Sequence, residues 1–309
     1  MKRGIFLTVL LSLSTILSNA QTLQFVKSDM NSVSSGMGGT SSVYTKTAYT
    51  AFNNIASLPF SDETMDFALS YYDVQPKGTH VRGSSLGGAI HITDALGISA
   101  AFSGGIGSAY DIIDMDGNIQ DSFIPSEYLL SIGASYKLAS CLSVGINAGY
   151  AGTELAEGKS YGAFVSDIFV MSEFHGARFT LGLSDIGTPI KSVNGSQYML
   201  PTSIVAGAGY TMDWGNNHRT RVAAECSLWY EYKVSASVGA SYSFYDILEI
   251  RAGYRYRGKT IVPSYCSAGM GLKIAGISLD FSYILPVFQN RLSGTWSVGL
   301  SFTICKNDY

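Results

Sequence analysis

The chain is short of charge, of grouped cysteine or histidine and of long apolar runs, and each shortage closes off a class of protein. Asp, Glu, Lys and Arg make up only 14% of its 309 residues, against roughly 25% in an ordinary soluble domain. A conventional water-facing surface is therefore out of reach. Four cysteines, Cys141, Cys226, Cys266 and Cys305, sit at wide, irregular intervals. They match no zinc pattern, and a chain this long has no need of a disulfide framework, which leaves packing as small apolar residues or a bridge. The histidines His80, His91, His175 and His218 each lack a second His or Cys at ligand spacing. No metal site is expected, and no cofactor either, since no phosphate-cradling Gly-x-x-x-x-Gly-Lys segment is present. The net charge of −3 speaks against nucleic acid as a partner. After residue 20, no run is long and apolar enough for a membrane helix.

The first twenty residues are built differently. Lys2 and Arg3 precede an apolar run from Ile5 to Leu17, and Ser18-Asn19-Ala20 supplies a small-x-small cut site. Residues 1–20 therefore read as a cleaved secretory signal peptide, with the mature chain beginning at Gln21. The run is too short for a comfortable transmembrane anchor, and no Cys follows the cut to carry a lipid.

What the chain has in quantity is glycine (34) and tyrosine (20), set in segments that alternate with a period of two. From Val234 to Phe244 one face reads Val234, Ala236, Val238, Ala240, Tyr242, Phe244, and the other Ser235, Ser237, Gly239, Ser241, Ser243. Trp296 to Ile304 repeats the pattern. A strand separates two such sets onto opposite faces, and a helix does not. A soluble sandwich would carry Lys, Glu and Thr on its polar face. Gly and Ser instead suit the crowded interior of a filled barrel, while the apolar set suits lipid.

The expected fold is thus all-β, a transmembrane antiparallel β-barrel of about fourteen strands in residues 63–309. The strands fall near 65–73, 82–92, 96–104, 126–138, 142–152, 160–170, 177–186, 202–212, 219–230, 233–244, 247–257, 264–274, 276–284 and 295–304. Short links at 139–141, 245–246 and 275–276 alternate with long ones at 105–125, 187–201 and 285–294, the habit of barrels with periplasmic turns and outer loops. Both mature termini are expected in the periplasm and the barrel in the cell outer membrane, with its lipid as a partner. Residues 21–62 break the alternation. Their Gly36-Met37-Gly38-Gly39 cluster favours a compact N-terminal plug or hatch, because close backbone approach needs glycine.

Motifs that suggest chemistry fail on context. Gly83-Ser84-Ser85-Leu86-Gly87 matches the nucleophile elbow in letters, yet that motif works on a strand-to-helix turn, and here it opens a strand. No enzymatic activity is expected. Asp114, Asp116, Asn118 and Asp121 suggest a calcium loop, but Gly117 comes too early and Pro125 stands where the ligating Glu would be. A hairpin tip in an outer loop fits better. Alternation does place Arg221, Glu225, Glu249, Arg251, Arg255 and Asp280 on the lumen side, where burial demands pairing or water. They form either a lattice tying wall to plug or a polar constriction. Tyr71-Tyr72, Trp229-Tyr230-Tyr232 and Tyr254-Tyr256 read as interfacial girdle residues.

Several segments resemble the PorV/PorQ-type proteins of Bacteroidota, relatives of the FadL family of fourteen-stranded barrels. Gly36-Met37-Gly38-Gly39-Thr40 and Ala51-Phe52-Asn53-Asn54-Ile55-Ala56-Ser57-Leu58 resemble that family's Met-Gly-Gly turn and Asn-Pro-Ala-x-Leu hatch. Asn54, Ala56 and Leu58 are in place, with Ile55 where Pro is usual. Leu181 to Gly187, Leu200-Pro201, Ala206 to Tyr210, Ile250 to Arg255 and the final hairpin are similar too. The resemblance implies a PorV-like accessory that binds envelope protein partners in type IX secretion, with loops 105–125 and 187–201 as its surface. Two alternatives stand beside it: a FadL-like transporter of a small hydrophobic ligand, which needs an apolar pocket near the plug and a kinked or broken wall strand, and a structural subunit of another envelope complex.

Overall fold

The computed structural model describes residues 23–27, 31–75, 80–114, 118–191, 197–215, 217–229, 233–258, 264–287 and 294–305. The expected signal peptide, the mature start at Gln21, Asp116, Gly117, Tyr230 and Tyr232 lie outside the described residues.

Strands β1 (Glu63–Val74), β2 (Val81–His91) and β3 (Leu96–Ile106) are followed by a small hairpin, β4 (Tyr110–Ile113) and β5 (Ile119–Phe123). Next come β6 (Ser126–Ala139), β7 (Leu142–Ala156), β8 (Lys159–Phe174) and β9 (Ala177–Gly187). A second hairpin, β10 (Ile190–Lys191) and β11 (Gln197–Tyr198), precedes β12 (Ser203–Asp213), β13 (His218–Trp229) and β14 (Val234–Phe244). The chain finishes with β15 (Leu248–Arg257), β16 (Tyr265–Ile274), β17 (Ile277–Pro286) and β18 (Trp296–Cys305). Apart from the two hairpins, these strands form one closed antiparallel barrel of fourteen, in which β18 returns to pair with β1. Closure leaves no edge to meet hydrocarbon.

The two-residue period becomes two surfaces. In β1, Phe67 and Leu69 are 51% and 53% exposed on the outer face, whereas Asp66 and Ser70 are 0% and 2% exposed on the inner one. The barrel has two unlike ends. At one, β8 joins β9 through His175-Gly176, and β16 joins β17 through Ala275-Gly276. Both residues of each link are left-handed, with φ of 49° and 80° in the first and 49° and 82° in the second. That is the type I′ turn whose twist matches a hairpin. This turn side also holds the start of β1 and the end of β18; the opposite loop side carries both small hairpins.

Two girdle expectations are corrected. Tyr72 and Trp229 are each only 8% exposed and point inward; the Tyr72 hydroxyl bonds Ser103 Oγ at 3.1 Å. Each sits at an inward position of its strand, and proximity to a strand end did not reveal that parity. Tyr71 and Tyr256 do face outward. The four cysteines are free thiols. Gly83 to Gly87 lies within extended β2, where the Ser85 carbonyl accepts the Tyr49 hydroxyl at 3.1 Å.

Candidate functional site

The described residues before β1 cross the bore as a hatch. Helix α1 (Ser32–Gly36) is capped by Asn31, whose Oδ1 accepts the Ser34 N–H at 2.9 Å. Two 3-10 turns follow, Thr47–Phe52 and Ile55–Phe60. Helix α1 lies against β15 to β18, the first turn against β1 to β3 and β6, and the second against β3 and β6 to β8.

The six hatch residues singled out in the sequence are joints of this plug. Gly38 and Gly39 are left-handed, with φ of 70° and 75°. The Gly38 N–H donates to Ser267 Oγ at 2.9 Å, and the same hydroxyl donates to the Gly36 carbonyl at 3.1 Å. Arg255 Nη2 donates to the Gly39 carbonyl. Asn54 is fully buried and ties three pieces together. Its Nδ2 donates to the Ser42 carbonyl at 2.8 Å and to Thr180 Oγ1 of β9 at 2.9 Å, and its Oδ1 accepts the Ala56 N–H at 3.0 Å. Ile55, in the place of the usual proline, is also fully buried. It packs on Gly133 and Gly145, where an added Cβ would lie 2.6 and 2.5 Å from its side-chain atoms. Leu58 covers Gly97 in the same way, 2.6 Å from that position's Cβ. The small lumen residues are therefore the seats of the plug. The Tyr49 hydroxyl, within the hatch, is pushed above its ordinary pKa by burial and also lies within hydrogen-bond reach of Ser70 Oγ at 3.0 Å.

The six lumen charges fall into two layers. Nearer the turn side, Arg251 donates to Asp280 at 2.7 Å and Glu249 at 2.9 Å, and Arg221 lies 3.7 Å from Glu249. Nearer the loop side, Arg255 lies 3.6 Å from Glu225, which accepts the Ser42 N–H at 2.8 Å. The second layer bolts the hatch to the wall. Arg251→Met is expected to destabilise the barrel by about 3–5 kcal/mol, because it strands the buried Asp280 carboxylate and leaves the half-buried Glu249 with Arg221. Adding Glu249→Gln and Asp280→Asn should restore most of that, as read by urea unfolding in lipid vesicles.

The two sides of the hatch differ in chemistry. On the turn side a vestibule of about 630 Å³ is lined by charged groups, Lys46, Glu173, Arg178, Arg221, Glu249 and Asp280 among them. On the loop side, Leu23, Val26, Leu129, Ala151, Ala163, Val165, Ile190 and Leu200 form a buried apolar cluster against Phe52. Beside it lies a space of about 70 Å³ reached by Phe52, Asn53, Ser184, Asp185, Trp229 and Arg255.

That space adjoins a seam in the wall. Pairing of β9 with β12 stops at Ser184 and Ser203, while β9 stays on β8 up to Gly187 and Val165. A bulge sits at the same level: Ser166 pairs with Ile186 and Ile168 with Leu183. Such bulges re-aim strands. Asp185 there is left-handed, with φ of 56°. Its N–H donates to Asp167 Oδ1 at 2.7 Å, and its carbonyl accepts Thr202 Oγ1 at 2.7 Å. Asn147 Nδ2 reaches Asp167 Oδ2 at 3.4 Å and the Asn53 carbonyl of the hatch at 3.1 Å. Leu200 closes the seam against Gly187. Sequence reading passed over Asn147, Asp167 and Asp185; Asn147 on an inward face of Ser143, Gly145 and Gly149 was an available signal, whereas Asp185 turns inward only because of the bulge, which alternation does not show.

No protein-family model and no curated protein matches the chain. Solved structures do. The CymD monoaromatic hydrocarbon channel shares the fold with a TM-score of 0.64 at 14% identity, over 93% of this chain and 100% of that one. The Pseudomonas putida toluene transporter TodX gives 0.62 at 14% identity, over 90% and 100%. A Pseudomonas aeruginosa FadL homologue gives 0.51 at 12%, over 94% and 99%. The chain has the FadL-like barrel fold. The expectation of a PorV-like secretion accessory is corrected by these neighbours. CymD and TodX, which share the fold along nearly the whole chain, are a monoaromatic hydrocarbon channel and a toluene transporter, and these neighbours give the secretion assignment and its protein partners no support.

Proposed function

We propose that this chain is an outer-membrane channel that passes small hydrophobic molecules, admitting them on the loop side and releasing them sideways through the wall between β9 and β12. The observation that carries this reading is the apolar cluster of the loop-side lumen, set directly against the seam at Ser184 and Ser203. Straight passage is unfavourable for such a cargo. Beyond the hatch lies the charged vestibule, where apolar area gains nothing and polar groups lose water. Sideways exit keeps an apolar surface out of water at roughly 0.8 kcal/mol per CH₂.

In this reading residues 1–20 direct export, residues 21–62 are the hatch, and the turn side faces the periplasm. The hydrocarbon cargo of CymD and TodX makes toluene the first probe. With the native cysteines replaced by serine, Ser184→Cys and Ser203→Cys together place a thiol pair across the last paired rung of the seam. Uptake of labelled toluene by cells carrying the oxidised protein is expected to fall to that of cells without it, and to return on reduction. Full uptake by the oxidised form would move the exit elsewhere. Uptake no higher than in empty cells, even when reduced, would remove the channel reading.

A further inference from the structure

We propose that the loop-side lumen holds a binding site for small apolar amines in their ammonium form, built on Glu127 of β6, so that this channel takes a cationic ring in preference to an anionic one. The inference rests on the channel reading and narrows its substrate class.

Strand register assembles the site. One inward rung on the loop side runs Tyr72, Gly83, Gly105, Glu127, Thr153 and Tyr161 across β1, β2, β3, β6, β7 and β8. The two glycines let their larger neighbours lie along the wall. The Tyr72 ring covers Gly83, and the Glu127 carboxylate covers Gly105, 3.3 Å from the position a Cβ would take there. Both side chains therefore reach β3, the tyrosine from one side and the acid from the other. The next inward rung, about 7 Å deeper, carries Leu129, Ala151 and Ala163. These three belong to the apolar cluster, and Tyr161 packs against it.

Glu127 is half-buried and, among the described residues, makes no hydrogen bond or ion pair. The hydroxyls beside it are engaged elsewhere: Thr153 Oγ1 donates to the Ser126 carbonyl at 2.9 Å, and the Tyr72 hydroxyl bonds Ser103 Oγ. Other lumen carboxylates are answered by the protein itself, Asp280 and Glu249 by Arg251, Glu225 by Arg255 and Asp66 by Lys46. Strand β15, which carries both arginines, stands diametrically across the barrel from β6. A half-buried carboxylate left without a protein partner calls for water or a cation. An ammonium group supplies opposite charge and donors together, and tyrosine rings on both flanks of the rung favour a cation further. Its apolar body then lies on Leu129, Ala151 and Ala163. A carboxylate cargo would meet a like charge at the same point. Sideways release suits an amine as well, because its charged end can stay at the interface while the ring enters lipid.

The test is equilibrium dialysis of the whole folded protein in neutral detergent against labelled benzylamine, toluene and benzoate. It is run at about pH 8, where carboxylates are ionised and the amine is protonated, with protein-free micelles as the blank. Benzylamine is expected to bind at least about tenfold tighter than benzoate. Glu127→Gln should weaken benzylamine about tenfold and leave toluene unchanged, and Glu127→Lys should reverse the order of benzylamine and benzoate. Benzoate binding as tightly as benzylamine to the unaltered protein, with toluene still bound, would overturn the ammonium site and leave the channel reading standing. Benzylamine binding that is unaffected by Glu127→Gln, or that falls only in step with toluene, would overturn the assignment to Glu127. Binding of none of the three would overturn both the site and the channel reading.

Discussion

Gly253→Val is expected to expel the hatch while leaving the barrel wall standing, turning a plugged barrel into an open one. Gly253 of β15 and Gly239 of β14 face each other across the ladder and form the slot for Met37 and Gly38. A Cβ at Gly253 would collide with the Gly38 nitrogen, and one at Gly239 with the Met37 carbonyl. Backbone stands on both sides of the clash, so no flexible side chain can swing away. Valine is nevertheless at home in a strand, and β15 keeps its ladders to β14 and β16. The strain therefore falls on the hatch, whose bolts at Ser267 and Arg255 lie beside the slot. Conductance in planar bilayers should rise from near closed to porin-like, and purified vesicles should become leaky to small sugars. A variant that stays closed and folded would show that the hatch tolerates displacement from this slot.

Asp66→Ala should produce the largest loss of stability. The carboxylate is fully buried on β1, next to the junction where β18 closes the barrel. Its Oδ1 accepts from Thr303 Oγ1 of β18 at 2.8 Å and lies 3.5 Å from Lys46 Nζ, while its Oδ2 accepts the Ala48 N–H at 2.8 Å. One side chain thus ties the first strand, the last strand and the hatch. Removing it leaves Lys46 with Glu63 at 4.0 Å as its remaining carboxylate and orphans a buried N–H. Breaking a buried pair from one side costs about 3–5 kcal/mol, and the unmet donor adds about 1–3. The compact form seen on unheated gels should be lost or should melt at markedly lower temperature. Lys46→Met in the same chain should recover part of the loss, because it removes the stranded charge. An Asp66→Ala protein as stable as the parent would mean that the junction is held by the ladder alone.

Much of the architecture was open to sequence reading because its causes are local. Side-chain alternation is a property of neighbours in the chain, so Val234 to Phe244 and Trp296 to Ile304 disclose their two faces without any partner. The same parity put Arg221, Glu225, Glu249, Arg251, Arg255 and Asp280 inside, and burial then required partners for them. The hatch motif around Asn54 could be recognised as a unit. The function suggested by family resemblance did not survive, because short motifs shared among related barrels mark the shell and the plug more than the cargo.

Fourteen alternating segments, a small-residue interior and a non-periodic lead-in of hatch character were determined by the sequence alone. Only the tertiary structure decided which inward charge meets which: Arg251 reaches Asp280 from another strand, across a register that no single segment specifies. The seam likewise depends on where β12 starts relative to β9, on a bulge opposite Asp167 and on Leu200 folding back over Gly187. The inward facing of Tyr72 and Trp229, by contrast, follows strand parity that the sequence already carried. Facing within a strand follows from local period, whereas pairing, closure and the position of a break arise from distant segments meeting, and only their joint packing sets them.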